Sequence, residues 1–111
     1  MRKNTREVLK AWMAKEAKGN RGESISTDGN TIYSYNTAIV VRTPDYSKEI
    51  AELNKLGYPI EQKNFVDATI NTTKYSSTTS NQQTSILCYF DVRNISYNEK
   101  INVPIGTRTL G

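Results

Sequence analysis

Apolar residues recur at helical intervals through the first segment of the chain. At about 100° per residue, Val8, Leu9, Trp12 and Met13 share one face, while Lys3, Arg6, Lys10, Lys15 and Lys18 spread over much of the rest. The spacing predicts a basic amphipathic helix within residues 1–19. Asn4-Thr5-Arg6-Glu7 has the spacing of a capping box, with Asn4 as N-cap and Glu7 reaching back. Lys18-Gly19 supplies the stop, and Asn20-Arg21-Gly22 reads as a linker.

Beyond the linker the period shortens to that of strands. Ser24–Thr27 and Thr31–Tyr35 flank Asp28-Gly29-Asn30, whose residues tolerate the positive φ of a tight hairpin. Residues 38–43 follow the polar break Asn36-Thr37 with a continuous apolar run, which predicts a central strand buried on both faces. Thr43-Pro44-Asp45 turns the chain into a short helix over Ser47–Lys55, with Ile50, Leu53 and Leu56 facing inward and Gly57 and Pro59 ending it. Phe65–Ile70 reads as a fourth strand. Thr78, Thr79 and Ser80 are N-cap candidates for a helix running through Asn81–Phe90; residues 85–92 fit a strand on composition as well, and helix is the favoured assignment. From Ile95 onward Tyr97, Ile101, Val103 and Ile105 alternate with polar residues, predicting an edge strand and then a frayed end. The expected architecture is a single α+β domain over residues 1–111: a basic amphipathic N-terminal helix (1–19), an α+β core (24–105) with a mainly antiparallel small sheet and one or two further short helices, and a tail (106–111).

Composition narrows this reading. A chain of 111 residues has room for one modest core, and with 36% apolar residues that core must be selective. Seven Tyr, two Phe and one Trp supply bulk that disordered chains lack. Ile86–Phe90 is the longest apolar run, far short of the roughly 20 residues that span a bilayer, and no apolar signal segment follows Met1-Arg2-Lys3. One Cys, Cys88, leaves no internal disulfide. These features lead to the expectation of a cytoplasmic protein without membrane contact. The two Asn-x-Ser/Thr matches at Asn71 and Asn94 are read as coincidental. Charge is unevenly placed: residues 1–21 carry seven Lys/Arg against two Glu, and the remainder eight against nine, so the whole excess of +4 derives from the first segment.

The enzyme classes fare poorly on this composition. Without His the commonest general base and zinc ligand are missing, and neither a Ser–His nor a Cys–His nucleophile can be built. Cys88 lies in the most apolar run and is expected to be a buried packing residue. Asp45, Glu49 and Glu52 fall on or beside one predicted helix, spaced for solvation. No phosphate loop, dinucleotide fingerprint or metal-spaced Cys cluster occurs. The expectation is therefore a protein without catalytic residues, cofactor or metal site.

The candidates for binding are few. Arg6, Lys10 and Lys15 form a basic face suited first to solvation, then to phosphate contact, and least to docking on a membrane surface. Tyr33 and Tyr35, two apart on one predicted strand, project from the same face, where they either stack on bases or fill a core. Thr78, Thr79 and Ser80 gather hydroxyls at a helix start, for capping or for holding a phosphate or carboxylate. Gln82 and Gln83 add amides able to read a base edge or to satisfy buried backbone.

Two blocks, Ser26–Ile39 around Tyr33-Ser34-Tyr35-Asn36-Thr37 and Asn71–Gln83 around Tyr75-Ser76-Ser77-Thr78-Thr79-Ser80, are similar to an uncharacterised family of small proteins from bacteriophages and bacterial genomes. That family pairs a Leu-Tyr-Ser-Tyr-Asn-Thr hairpin with a Tyr-Ser-x-Thr-Thr-Ser-Lys-His-Gln helix start. This sequence departs from it at Asn81 and Gln82, where Lys and His are usual, so a role for that His does not carry over. The resemblance implies a mobile-element origin. Two functional expectations follow: a non-catalytic accessory protein that binds and modulates a host or defence-system protein, as an anti-defence (anti-CRISPR-like) inhibitor does, or a small DNA- or RNA-binding protein using the basic helix. Charges outside residues 1–21 are balanced and offer no long phosphate track, which favours the first.

Overall fold

The structure, a computed structural model, describes residues 2–20 and 23–110. Two of the three residues expected to form the linker, Arg21 and Gly22, lie outside the described residues, as does the terminal Gly111. The fold is α+β. Helix α1 (Lys3–Met13) and strands β1 (Ser26–Thr27), β2 (Thr31–Ser34) and β3 (Thr37–Arg42) come first. Helix α2 (Ser47–Lys55) and a 3-10 turn at Gln62–Asn64 then lead to β4 (Ala68–Asn71), helix α3 (Ser77–Val92) and β5 (Tyr97–Lys100). The five strands lie in sequence order with β3 in the centre. The first three pairings are antiparallel and β4 with β5 is parallel; α3 is the crossover that a parallel pair needs.

Helix α1 differs from its expected bounds at both ends. Burial of Thr5, Val8, Leu9 and Trp12 at i, i+3, i+4 and i+7 requires Thr5 to be helical already, so the helix starts at Lys3 with Arg2 as N-cap and no side-chain cap. The Asn4–Glu7 capping box therefore does not form. The helix stops at Met13 rather than near Lys18 because the chain reverses against the β1–β2 loop. Lys15 adopts φ of 60°, the Trp12 indole N–H donates to the Asn30 carbonyl at 2.8 Å, and Lys18 and Thr27 exchange backbone hydrogen bonds of 2.9 Å. Met13, expected on the apolar stripe, sits at this reversal and is exposed.

Core packing explains the apolar run of β3. A register irregularity pairs Ile32 with Val40 but Tyr33 with Ala38, leaving Ile39 as the extra residue of a bulge. Ile32, Ile39, Val40 and Ile70 join Val8, Leu9 and Trp12 of α1 and Ile86 and Phe90 of α3 in the main cluster. On the other face Tyr33 and Ala38 pack with Leu110, flanked by Val41 and Val103. The tail is therefore tied down and not frayed: Leu110 is buried, and the Ala38 N–H donates to the Thr107 carbonyl at 2.7 Å.

Other corrections follow from the same geometry. Residues 85–92 are helical, and α3 turns Ile86 and Phe90 inward while Cys88, between them, points outward and is exposed. The N-cap of α3 is Ser76, whose hydroxyl accepts from the Thr79 N–H at 3.2 Å, in place of Thr78, Thr79 or Ser80. Strand β4 begins at Ala68 because Phe65 instead packs against Tyr46, ring centres 5.0 Å apart and planes tilted by 45°, within the β3–β4 excursion. Of the expected inward residues of α2, Ile50 is buried and Leu53 half-buried, but Leu56 is 74% exposed. The alternation beyond Ile95 yields only the four residues of β5; Ile101 and Ile105 lie outside it and are exposed.

Candidate functional site

The two sequence blocks, separated in the chain by the thirty-one residues 40–70, meet in space. The β2–β3 turn carries Tyr35 and Asn36, and α3 begins beside it. Ser34 and Thr79, one from each block, share a buried hydroxyl–hydroxyl hydrogen bond of 2.8 Å. Asn71 ties the same junction from below: its amide donates to the Ala38 carbonyl at 3.1 Å and to the Tyr75 hydroxyl at 2.9 Å, and its Oδ1 accepts from the Thr73 N–H at 2.9 Å. Tyr75 passes the contact on by donating to the Val103 carbonyl. The C-terminal segment closes the third side, with the Gly106 N–H donating to the Thr37 hydroxyl at 2.8 Å.

Between these three segments lies a cleft of about 540 Å³ walled by Tyr35, Asn36, Tyr75, Ser76, Thr79 and Ile105, among others, none of them charged. Tyr35 is 47% exposed and Ile105 79% exposed. Tyr35 holds φ of 54°, a conformation uncommon for a residue with a bulky side chain. The turn thus directs its ring away from Tyr33, contrary to the expectation of two rings on one strand face: β2 ends at Ser34, and Tyr33 is buried in the second cluster. The cleft is suited to an apolar side chain, with hydroxyls at its wall for a partner's polar groups.

Of the other candidates, Thr79 lines the cleft, whereas Thr78 and Ser80 sit half-buried in the first turn of α3. The amides of Gln82 and Gln83 serve buried backbone. Gln83 donates to the carbonyls of Asn71 at 2.6 Å and Thr73 at 3.0 Å, and Gln82 donates to the Ser24 carbonyl at 2.5 Å. Arg6, Lys10 and Lys15 are exposed and none lines the cleft. Asp45, Glu49 and Glu52 are exposed as well. Sequence reasoning missed Ile105 as a cleft residue, since its apolar character in an alternating tail pointed to a strand. The signal that Tyr75 belongs with Tyr35 was the density of Tyr, Ser and Thr in both blocks.

At the opposite end of β2, the hairpin loop is organised by Asp28. Its Oδ1 accepts from the N–H groups of Asn30 at 2.9 Å and Thr31 at 2.8 Å, and Oδ2 lies 3.4 Å from the Tyr33 hydroxyl. Partial burial pulls the carboxyl's pKa upward, but the donors from Thr31, Asn30 and Tyr33 outweigh it and hold the group below its ordinary value.

Among the described residues no helix is long and apolar enough to cross a membrane. Fold and cleft together define a small α+β domain whose uncharged apolar cleft lies beside the β2–β3 turn. Compared with protein-family models, with curated proteins and with solved structures, the chain matches none of them.

Proposed function

We propose that the protein is a non-catalytic accessory factor of a phage or other mobile element, acting in the host cytoplasm by binding a host or defence-system protein through the Tyr35–Ile105 cleft. The observation that carries the binding part of this reading is the convergence of the two hydroxyl- and tyrosine-rich blocks on one uncharged apolar cleft with an exposed ring and an exposed aliphatic chain at its mouth. Exposed aromatic anchors beside a concave surface are the features that concentrate binding energy in protein interfaces. The mobile-element origin and the inhibitory role rest on the resemblance of those same blocks to the phage family. Direct binding of DNA or RNA would draw on Arg6, Lys10 and Lys15, which lie outside the cleft.

A pull-down from bacterial lysate, run with and without nuclease, tests this. The expected result is a stoichiometric protein retained after nuclease by the native chain and lost from a Tyr35→Ala, Ile105→Ser variant of unchanged melting temperature. Retention that disappears with nuclease would transfer the function to nucleic-acid binding.

A further inference from the structure

The two edges of the sheet differ. Strand β1 is two residues long, and Lys18 closes its outer side by exchanging backbone hydrogen bonds with Thr27. Strand β5 has β4 as its sole neighbour among the described residues. An open edge offers a row of unused N–H and C=O groups to any strand able to pair with it.

The ladder shows which groups are open. The Ser96 carbonyl accepts from the Ala68 N–H at 3.2 Å and the Lys100 carbonyl from the Thr72 N–H at 2.9 Å. In a parallel pair alternate residues turn their backbone to the neighbour, so Ser96, Asn98 and Lys100 face β4, and the N–H and C=O groups of Tyr97 and Glu99 point outward. Side chains alternate as well. Tyr97 packs on Phe90, ring centres 5.9 Å apart, on the helix-covered face that Glu99 shares; Asn98 lines a cleft with Val41 and Leu110 on the other face.

We propose that β5 pairs with β5 of a second copy of the chain, antiparallel, about a two-fold axis that crosses the sheet at Asn98. An axis perpendicular to the sheet keeps each face continuous and makes the contact self-complementary. Residues directly opposite then share a face, so the pair is centred on Tyr97, Asn98, Glu99 or Lys100. Charge and backbone select among these. Centring on Glu99 or on Lys100 sets like charges directly opposite each other, which is destabilising. Centring on Tyr97 runs the pair back to Asn94, whose φ of 56° is not that of a strand. With Asn98 at the axis, Tyr97 and Glu99 exchange both N–H···O bonds with Glu99 and Tyr97 of the second copy, the two Asn98 side chains meet in a non-hydrogen-bonded pair, and Lys100 faces Ser96. The same register brings Ile101, 67% exposed directly after β5, opposite Ile95 of the second copy, a residue packed on the main core. The charges that keep a bare edge from pairing at random leave this one alignment open.

The test is sedimentation equilibrium of the full chain from about 10 µM to about 1 mM, with reductant because Cys88 is exposed. The expected result is a reversible monomer–dimer equilibrium with a Kd on the order of 0.1 mM, the affinity of a small interface. Glu99→Pro removes an outward N–H and none that β4 uses, a position where edge strands accept proline. It should weaken the dimer at least about tenfold while its melt, taken at low concentration, stays within a few degrees of native. A native chain that is monomeric at the highest concentration, or an association that Glu99→Pro leaves unchanged, would overturn the proposal. The register is read separately in a Cys88→Ser background. Asn98→Cys sets two thiols across the axis at a Cα separation of about 4.5 Å, within disulfide range, so oxidation should give a covalent dimer. Lys100→Cys sets them about 14 Å apart and should not. Equal yields from the two variants, or none from Asn98→Cys, would also overturn it.

Discussion

Trp12 is held on three sides, and each contact ties a different part of the chain to α1. Its ring stacks on Phe90 of α3 at 5.6 Å, the Arg42 guanidinium of β3 lies 4.1 Å over it, and its N–H reaches the Asn30 carbonyl. Trp12→Ala should destabilise the protein by roughly 3–5 kcal/mol, enough to abolish folding in a domain this small; a cooperative thermal melt within a few degrees of the native one would contradict that. Gly29 is constrained differently. Its φ is 98°, and a Cβ there would stand 2.8 Å from the Lys15 carbonyl oxygen, so Gly29→Val adds a backbone clash to the ~1–2 kcal/mol cost of a left-handed conformation and should lower the melting temperature by several degrees. Asp28 makes the hairpin pH-sensitive. Because its folded pKa lies below the unfolded value, its contribution is present at neutral pH and is lost as pH falls below about 4 through the folded pKa. Asp28→Asn keeps an acceptor oxygen for the loop amides but does not titrate, so its urea midpoint should fall less steeply than the native one between about pH 5 and 2.

At the level of elements, legibility followed how much each depended on its own residues. The bounds of α2 and the hairpin around Asp28-Gly29 were readable because Gly, Pro and Asn punctuate them locally. The C-terminal end of α1 was not, since it is set by contacts eighteen or more residues away: Trp12 with Asn30 and Arg42 with the Trp12 carbonyl. Cys88 was misplaced because an unbroken apolar run suggests uniform burial, whereas a helix turns part of any such run to solvent. Helix α3 buries Thr79, Gln82 and Gln83 among its inward residues, a pattern that hydrophobic periodicity cannot detect. The α3 cap is testable at this scale: Ser76→Ala should cost ~0.5–2 kcal/mol, read as a shift in urea midpoint. On α1, Arg6→Glu with Lys10→Glu alters exposed positions only and should leave the melt nearly unchanged.

Across the whole molecule, α1 and α3 cover one face of the sheet and the C-terminal segment crosses the other, bringing residues 34–37, 75–79 and 105–106 together. Half of the cleft was visible beforehand as two dense blocks of Tyr, Ser and Thr. That they would be neighbours was not, because the Ser34–Thr79 and Asn71–Ala38 bonds depend on strand register and on the placement of α3. The proposed partner site is this cleft and not another exposed apolar surface such as that of Leu56 and Tyr58. Site-specific photocrosslinking tests it most directly, with a benzophenone side chain placed at position 105 in one sample and at position 56 in another, each irradiated in nuclease-treated bacterial lysate. One discrete protein adduct is expected from position 105 and none from position 56; an adduct from position 56 alone would place the partner elsewhere.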